Sequence, residues 1–172
     1  MKVNVIGIAS ALIAFISLVL PWWTISVSFS GLLRMSISWD VYTWGIRSPA
    51  EIGEAPIVLD FADWYRYVAL AMVVAGAIFG LAGSVTVGEK GRTVLAMSGI
   101  LTILAAIIFV LGLATDPALT EATPPIGIFE SKDVGIPGFS YSLSAYLHIG
   151  FFLAVIAAIL AFISLLKHPM VS

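Results

Sequence analysis

Four stretches of this chain, Val3–Leu20, Val68–Val87, Thr93–Ala114 and Ala145–Leu166, contain no aspartate, glutamate, lysine or arginine. A helix needs about 20 mostly apolar residues to cross the hydrocarbon of a bilayer, and there a helix or closed barrel must satisfy its own backbone. The spacing predicts four transmembrane helices, over 3–23, 63–87, 93–114 and 144–166. Composition agrees, with 60% hydrophobic and 10% charged residues, against about 25% charged in an ordinary soluble domain. The expectation is one integral membrane domain over 1–172, a mainly α, four-helix bundle in the cell membrane. Lys2 ahead of the first run invites a signal-peptide reading. The length of the run, and Pro21-Trp22-Trp23 where a cleavage site needs small residues, favour a retained span.

Between the first two runs lies a segment of a different kind. From Ile25 to Val41 the odd positions read Ile, Val, Phe, Gly, Leu, Met, Ile, Trp, Val, while Ser26, Ser28, Ser30, Ser36, Ser38 and Asp40 fall on the even ones. Period-two alternation with β-branched and aromatic residues marks a sheet with one buried face. Ser30-Gly31 reads either as a turn between two strands or as a bulge in one. Two strands alone are marginal in water, so a third is expected from Val41–Trp44 or from around Phe139–Leu143. The expected outcome is a small antiparallel β-sheet built from the first outer loop, residues 24–62. An edge left open on it would invite strand addition.

Orientation follows from basic residues in short flanks. An inner turn at 88–92 makes the second and third spans an antiparallel hairpin. Lys2, Lys90, Arg92 and Lys167 lie on the side of the termini and this turn, opposed only by Glu89. Four cations and nine anions occupy the other side, in loops 24–62 and 115–143 and their flanks. The termini, including the tail 167–172, are therefore expected in the cytoplasm, and Trp64, Tyr65, Arg66 and Tyr67 as interfacial anchors of the second span.

Several function classes find no support. Charge-free spans argue against an ion-coupled transporter or pump. With no cysteine there is no thiolate chemistry, and the outer serines have no histidine in their loop to act as base. His148 and His168 lie at opposite ends of the fourth span, about 30 Å apart at a helical rise, so they do not share a metal. A net charge of −2 gives no reason to expect nucleic acid. No enzyme activity, catalytic residue or cofactor is expected. The absence of Gln and the single Asn, Asn4, with no Cys, match one signature of proteins from hot environments. The expected partners are the lipid bilayer and either further copies of the chain or other membrane subunits. Candidate interface residues are Trp22, Trp23, Phe29, Gly31, Leu32, Leu33 and Trp39 in the β layer. Gly76, Gly80, Gly150, Ala154 and Ala158 form small-residue faces that serve either the chain's own bundle or a neighbour.

Short motifs carry a family resemblance. Leu20-Pro21-Trp22-Trp23 followed by Gly31-Leu32-Leu33 resembles the claudin tryptophan followed by Gly-Leu-Trp. Arg66-Tyr67-Val68-Ala69-Leu70 resembles the Arg-Ala-Leu opening of the claudin second span. Ser98-Gly99-Ile100-Leu101 and Ile149-Gly150-Phe151 sit where that family has glycines. The four-span layout is likewise similar to the claudin and peripheral myelin protein superfamily. Leu33 stands in place of the motif's last tryptophan, and the loop cysteine pair is absent. The resemblance implies a non-enzymatic protein that assembles laterally and presents an outer sheet. The rival expectation is an accessory subunit of a larger respiratory or secretion complex, with any cofactor in partner chains.

Overall fold

The computed structural model describes residues 3–30, 35–47, 63–116, 127–128, 132–133 and 140–167. Among these are four helices: α1 (Val5–Leu18), α2 (Trp64–Val85), α3 (Glu89–Thr115) and α4 (Ile149–Leu166). Three of them, α2, α3 and α4, are long and apolar enough to cross a membrane. Each helix packs on two others in the cyclic order α1–α2–α3–α4. Ile78, Ile100, Ile107, Leu111, Phe152, Ile156 and Ile159 are left exposed on the outside of this ring. Apolar outward faces of this kind are what a lipid-facing bundle requires.

Small residues and polar clamps hold the ring together. A Cβ on Gly76 would lie 2.5 Å from Thr102 Oγ1, and one on Gly83 would lie 2.9 Å from the Gly91 carbonyl, so glycine lets α2 lie against α3. Ser98 Oγ donates to the Gly76 carbonyl at 2.6 Å across the same seam. Ser10 Oγ donates to the Ala157 carbonyl at 2.7 Å, joining α1 to α4. The chain's sole asparagine works at the opposite end from the sheet. Asn4 caps α1 by accepting from Gly7 N, and its Nδ2 donates to the Ser164 carbonyl of α4 at 2.9 Å. Its backbone N–H donates to Ser84 O of α2, so one buried residue ties three helices.

Three helix boundaries move relative to the sequence expectation. α1 stops at Leu18, not residue 23. At about 1.5 Å per residue its 14 residues reach roughly 21 Å. Pro21 disfavours a helical conformation at the residue before it, and the chain leaves the helix to become strand. α4 starts at Ile149, not 144, because Ser144–Leu147 continue the alternation of a strand. The segment 88–92 is mostly the first turn of α3, and the reversal is made by Gly88, whose φ of 80° favours glycine.

The alternating stretch forms β1 (Trp23–Ser30) and β2 (Met35–Tyr42), so two strands and not one bulged strand. β3 (Gly45–Arg47) follows, and the second loop contributes β4 (Gly127–Ile128), β5 (Lys132–Asp133) and β6 (Ser140–Leu147). The antiparallel sheet runs β3-β2-β1-β6-β4, with β5 also paired to β6. It therefore draws on both loops: the source expected around Phe139–Leu143 supplies β6, whereas Val41–Trp44 ends β2 and turns, and the next strand is Gly45–Arg47. Trp23, Ile25, Ile37, Trp39, Val41 and Ala145 are buried on one face and join the cluster that includes Tyr65, Phe109 and Leu113 of the bundle.

Candidate assembly surface

Period two places the hydroxyls of the sheet on the face opposite that core. Register sets Ser36, Ser28 and Ser142 in one row across β2, β1 and β6, and Ser38, Ser26 and Ser144 in the next. Ser26 and Ser38 hydroxyls lie 2.9 Å apart and Ser28 and Ser36 hydroxyls 3.1 Å apart, as cross-strand hydrogen bonds. Thr24 Oγ1 donates to Asp40 Oδ1 at 2.8 Å in the row nearest the helices. The two serine rows thus form a face of small hydroxyls without a charged side chain.

The edges of the sheet differ. β6 carries β4 at Ser144–Ala145 and β5 at Ser140–Tyr141. β3 covers β2 only at Asp40, Val41 and Tyr42. Among the described residues, the backbone of β2 from Met35 to Trp39 has no strand on its outer side. At about 3.4 Å per residue that open edge is roughly 17 Å long. Natural sheets commonly guard such an edge with charge or proline, and Met35–Trp39 contains neither.

The sheet is seated on the helices through Pro21, Trp22 and Trp23. Trp22 is fully buried, its Nε1 donating to the Ser17 carbonyl at 2.9 Å. Its ring meets Phe109 of α3 and Phe151 of α4 edge-on, at centroid distances of 5.1 and 5.9 Å. Trp22 N donates to Val41 O, while His148 N and Gly150 N donate to the carbonyls of Trp22 and Pro21. Gly150 is needed at that contact, since a Cβ there would lie 2.6 Å from the carbonyl oxygens of Leu20 and Pro21.

Most of the residues singled out from sequence therefore serve the chain's own interior. Trp22, Trp23 and Trp39 are core, and Gly76, Gly80, Gly150, Ala154 and Ala158 face neighbouring elements of the same bundle or lie buried in it. Of the β-layer candidates, Phe29 is exposed. Gly31, Leu32 and Leu33 lie outside the described residues, as does His168. Of the four expected anchors, Trp64 and Tyr67 are exposed, but Tyr65 and Arg66 are buried between α2 and α3.

That burial exposes a cluster the sequence reading missed. Arg66 is ion-paired with Asp63 and lies within electrostatic reach of Asp116, itself buried at the end of α3. Nε and Nη1 of Arg66 have no hydrogen-bond acceptor among the described residues. Asp63 and Arg66 stand at i, i+3, close enough to pair along one helix, whereas Asp116 is 50 residues away from Arg66 in the chain. With two carboxylates to one guanidinium the cluster carries a formal charge of −1, so it is not an anion site.

No known protein family matches the chain, and no curated protein matches it either.

Proposed function

We propose that this chain is a structural membrane tetraspan that assembles side by side with copies of itself through the sheet. In this reading all four helices sit in the cell membrane, the termini are cytoplasmic and the sheet stands on the outer side. The charge distribution between the two ends supports that orientation. The claudin-like layout supports the same class of function.

The observation that carries assembly is the Met35–Trp39 edge, which no strand covers among the described residues, beside a face of small hydroxyls. Strand addition there would supply main-chain hydrogen bonds, and serine rows leave no charge to repel a neighbour. The small-residue stripes of the helices are already used inside the bundle, which leaves the sheet as the better candidate for contact between copies.

The native chain has no cysteine, so single cysteines report contacts cleanly. Ser36→Cys and Ser38→Cys, on the open strand, are expected to give covalent dimers in native membranes with a short bis-maleimide. Ser144→Cys, on a strand paired on both sides, is the control. Absence of any cross-link, together with a strictly monomeric mass in mild detergent and in lipid, would count against self-assembly. Purification at fixed stoichiometry with a different polypeptide would replace this reading with that of an accessory subunit.

A further inference from the structure

Where α3 and α4 meet at the end away from the sheet, two open surface depressions share lining residues. One, of about 350 Å³, is lined by Glu89, Arg92, Thr93, Ala96 and Leu165. The other, of about 500 Å³, is lined by Arg92, Ile159, Phe162, Ile163, Leu165 and Leu166. Arg92 and Leu165 belong to both, so a polar recess opens directly onto an apolar trough, with a guanidinium at the junction.

The sequence explains why there is room. Arg92, Ala96 and Gly99 fall at i, i+4 and i+7, on one face of α3. Past Arg92 that face carries only a methyl group and a hydrogen. The Phe162 ring lies against Gly99, 3.0 Å from where a Cβ would stand. The polar end is also the basic end. Lys90 and Arg92 lie in the first turn of α3 and Lys167 closes α4, against Glu89 as the sole acid there among the described residues. Three cations less one anion leave a local charge of +2.

An occupant matching this shape needs an anionic head for the recess and a hydrocarbon tail for the trough. We propose that the α3–α4 groove is a binding site for one anionic phospholipid, its phosphate on Arg92 and an acyl or isoprenoid chain along Ile159, Phe162 and Ile163. The inference rests on the membrane reading above. A zwitterionic lipid fits the trough but brings its own cation to the basic end of the bundle, where Lys90 and Lys167 flank a recess lined by Glu89 and Arg92. Polar recognition at Arg92 therefore selects the head group, and the trough contributes affinity to lipids of either kind.

The test uses the full chain in nanodiscs of equimolar phosphatidylglycerol and phosphatidylcholine, with retained lipids counted by native mass spectrometry. Wild type is expected to hold phosphatidylglycerol with a roughly fivefold preference, the scale set by one basic side chain at an anionic surface. Arg92→Gln is expected to bring the ratio close to one and Arg92→Lys to restore much of it. Ala96→Phe, which fills the recess without changing charge, should also lose the preference. Arg47→Gln, in the sheet, should keep it. Circular dichroism melting confirms that each variant is folded. Equal retention of both lipids by wild type, or a preference untouched by both Arg92→Gln and Ala96→Phe, overturns the proposal. A chain released from membranes by alkaline carbonate fails the membrane reading itself, a separate result.

Discussion

Gly112 of α3 lies directly beneath the ring of Tyr65 of α2, so that a Cβ at 112 would fall among the Cγ, Cβ and Cδ1 atoms of the tyrosine. This contact seats a fully buried aromatic ring where the two helices reach the sheet. Tyr65 then meets Phe109 edge-on at 5.8 Å, and Phe109 meets Trp22. A single missing methyl group thus underlies the aromatic chain that joins bundle to sheet.

Gly112→Ala forces that ring to move, and overpacking of this kind costs about 1–3 kcal/mol. The expected result is a clearly lowered apparent melting temperature in detergent. Gly45→Ala, with no atom near the new methyl group, should leave it unchanged.

Trp22→Ala removes a buried indole together with its hydrogen bond to Ser17 O. Loss of about 3–5 kcal/mol is expected for truncating a large buried aromatic. Trp22→Phe keeps much of the ring contact and should cost less than half as much. Chemical unfolding in mixed micelles measures both, and equal midpoints for the two variants would argue that Trp22 is not the keystone described here.

Arg66 and Asp63 form one ion pair but should respond unequally. Asp63 is 53% exposed and its pairing with Arg66 is worth about 0–1 kcal/mol, so Asp63→Asn is expected to be nearly neutral. Arg66→Met instead removes a buried cation whose field reaches the buried Asp116, and is expected to lower the melting temperature well beyond Asp63→Asn. The double variant Arg66→Met/Asp116→Leu should recover much of that loss, which thermal melts of the four proteins resolve.

Asn4→Leu breaks the links from the Asn4 side chain to the α1 cap and to Ser164 of α4. The capping part alone is worth about 1 kcal/mol. Hydrogen exchange is expected to quicken at the Asn4 ends of α1 and α4, while the amides of β1 and β2 stay protected. Faster exchange in the sheet as well would mean that the two ends of the molecule are coupled more tightly than the Asn4 contacts imply.

How much of this was legible beforehand depends on the range of each interaction. The buried face of β1 and β2 is readable because its evidence is local: alternate side chains from Ile25 to Val41 state which face is buried, while the same pattern leaves open whether a turn or a bulge divides them. The serine face follows from the same alternation. Trp22 and Trp23 were read as the end of a span because tryptophans beside an apolar run commonly mark the membrane surface. The Trp22 ring instead packs on Phe109 and Phe151, far along the chain, which no local pattern reveals. Tyr65 and Arg66 were read as anchors for the same reason, and only the gap at Gly112 and the position of Asp116 draw them inside. Ser144–Leu147 abuts an apolar run and so reads locally as part of the fourth span, whereas pairing with β1 claims it for the sheet. The groove at Arg92 needs two helices side by side, so neither helix announces it alone.

The Pro21–Trp22 junction has a mechanical consequence. Its backbone is hydrogen-bonded to β2 through Val41 and to the start of α4 through His148 and Gly150, and α1 ends just before it. Dense interiors transmit strain instead of absorbing it. A sideways pull on the sheet is therefore delivered as torque to α1 and α4, with no hinge between the load and the helices. In the proposed assembly, sheets linked edge to edge would resist bending as a plate does, and a bilayer holding the helices would inherit that stiffness.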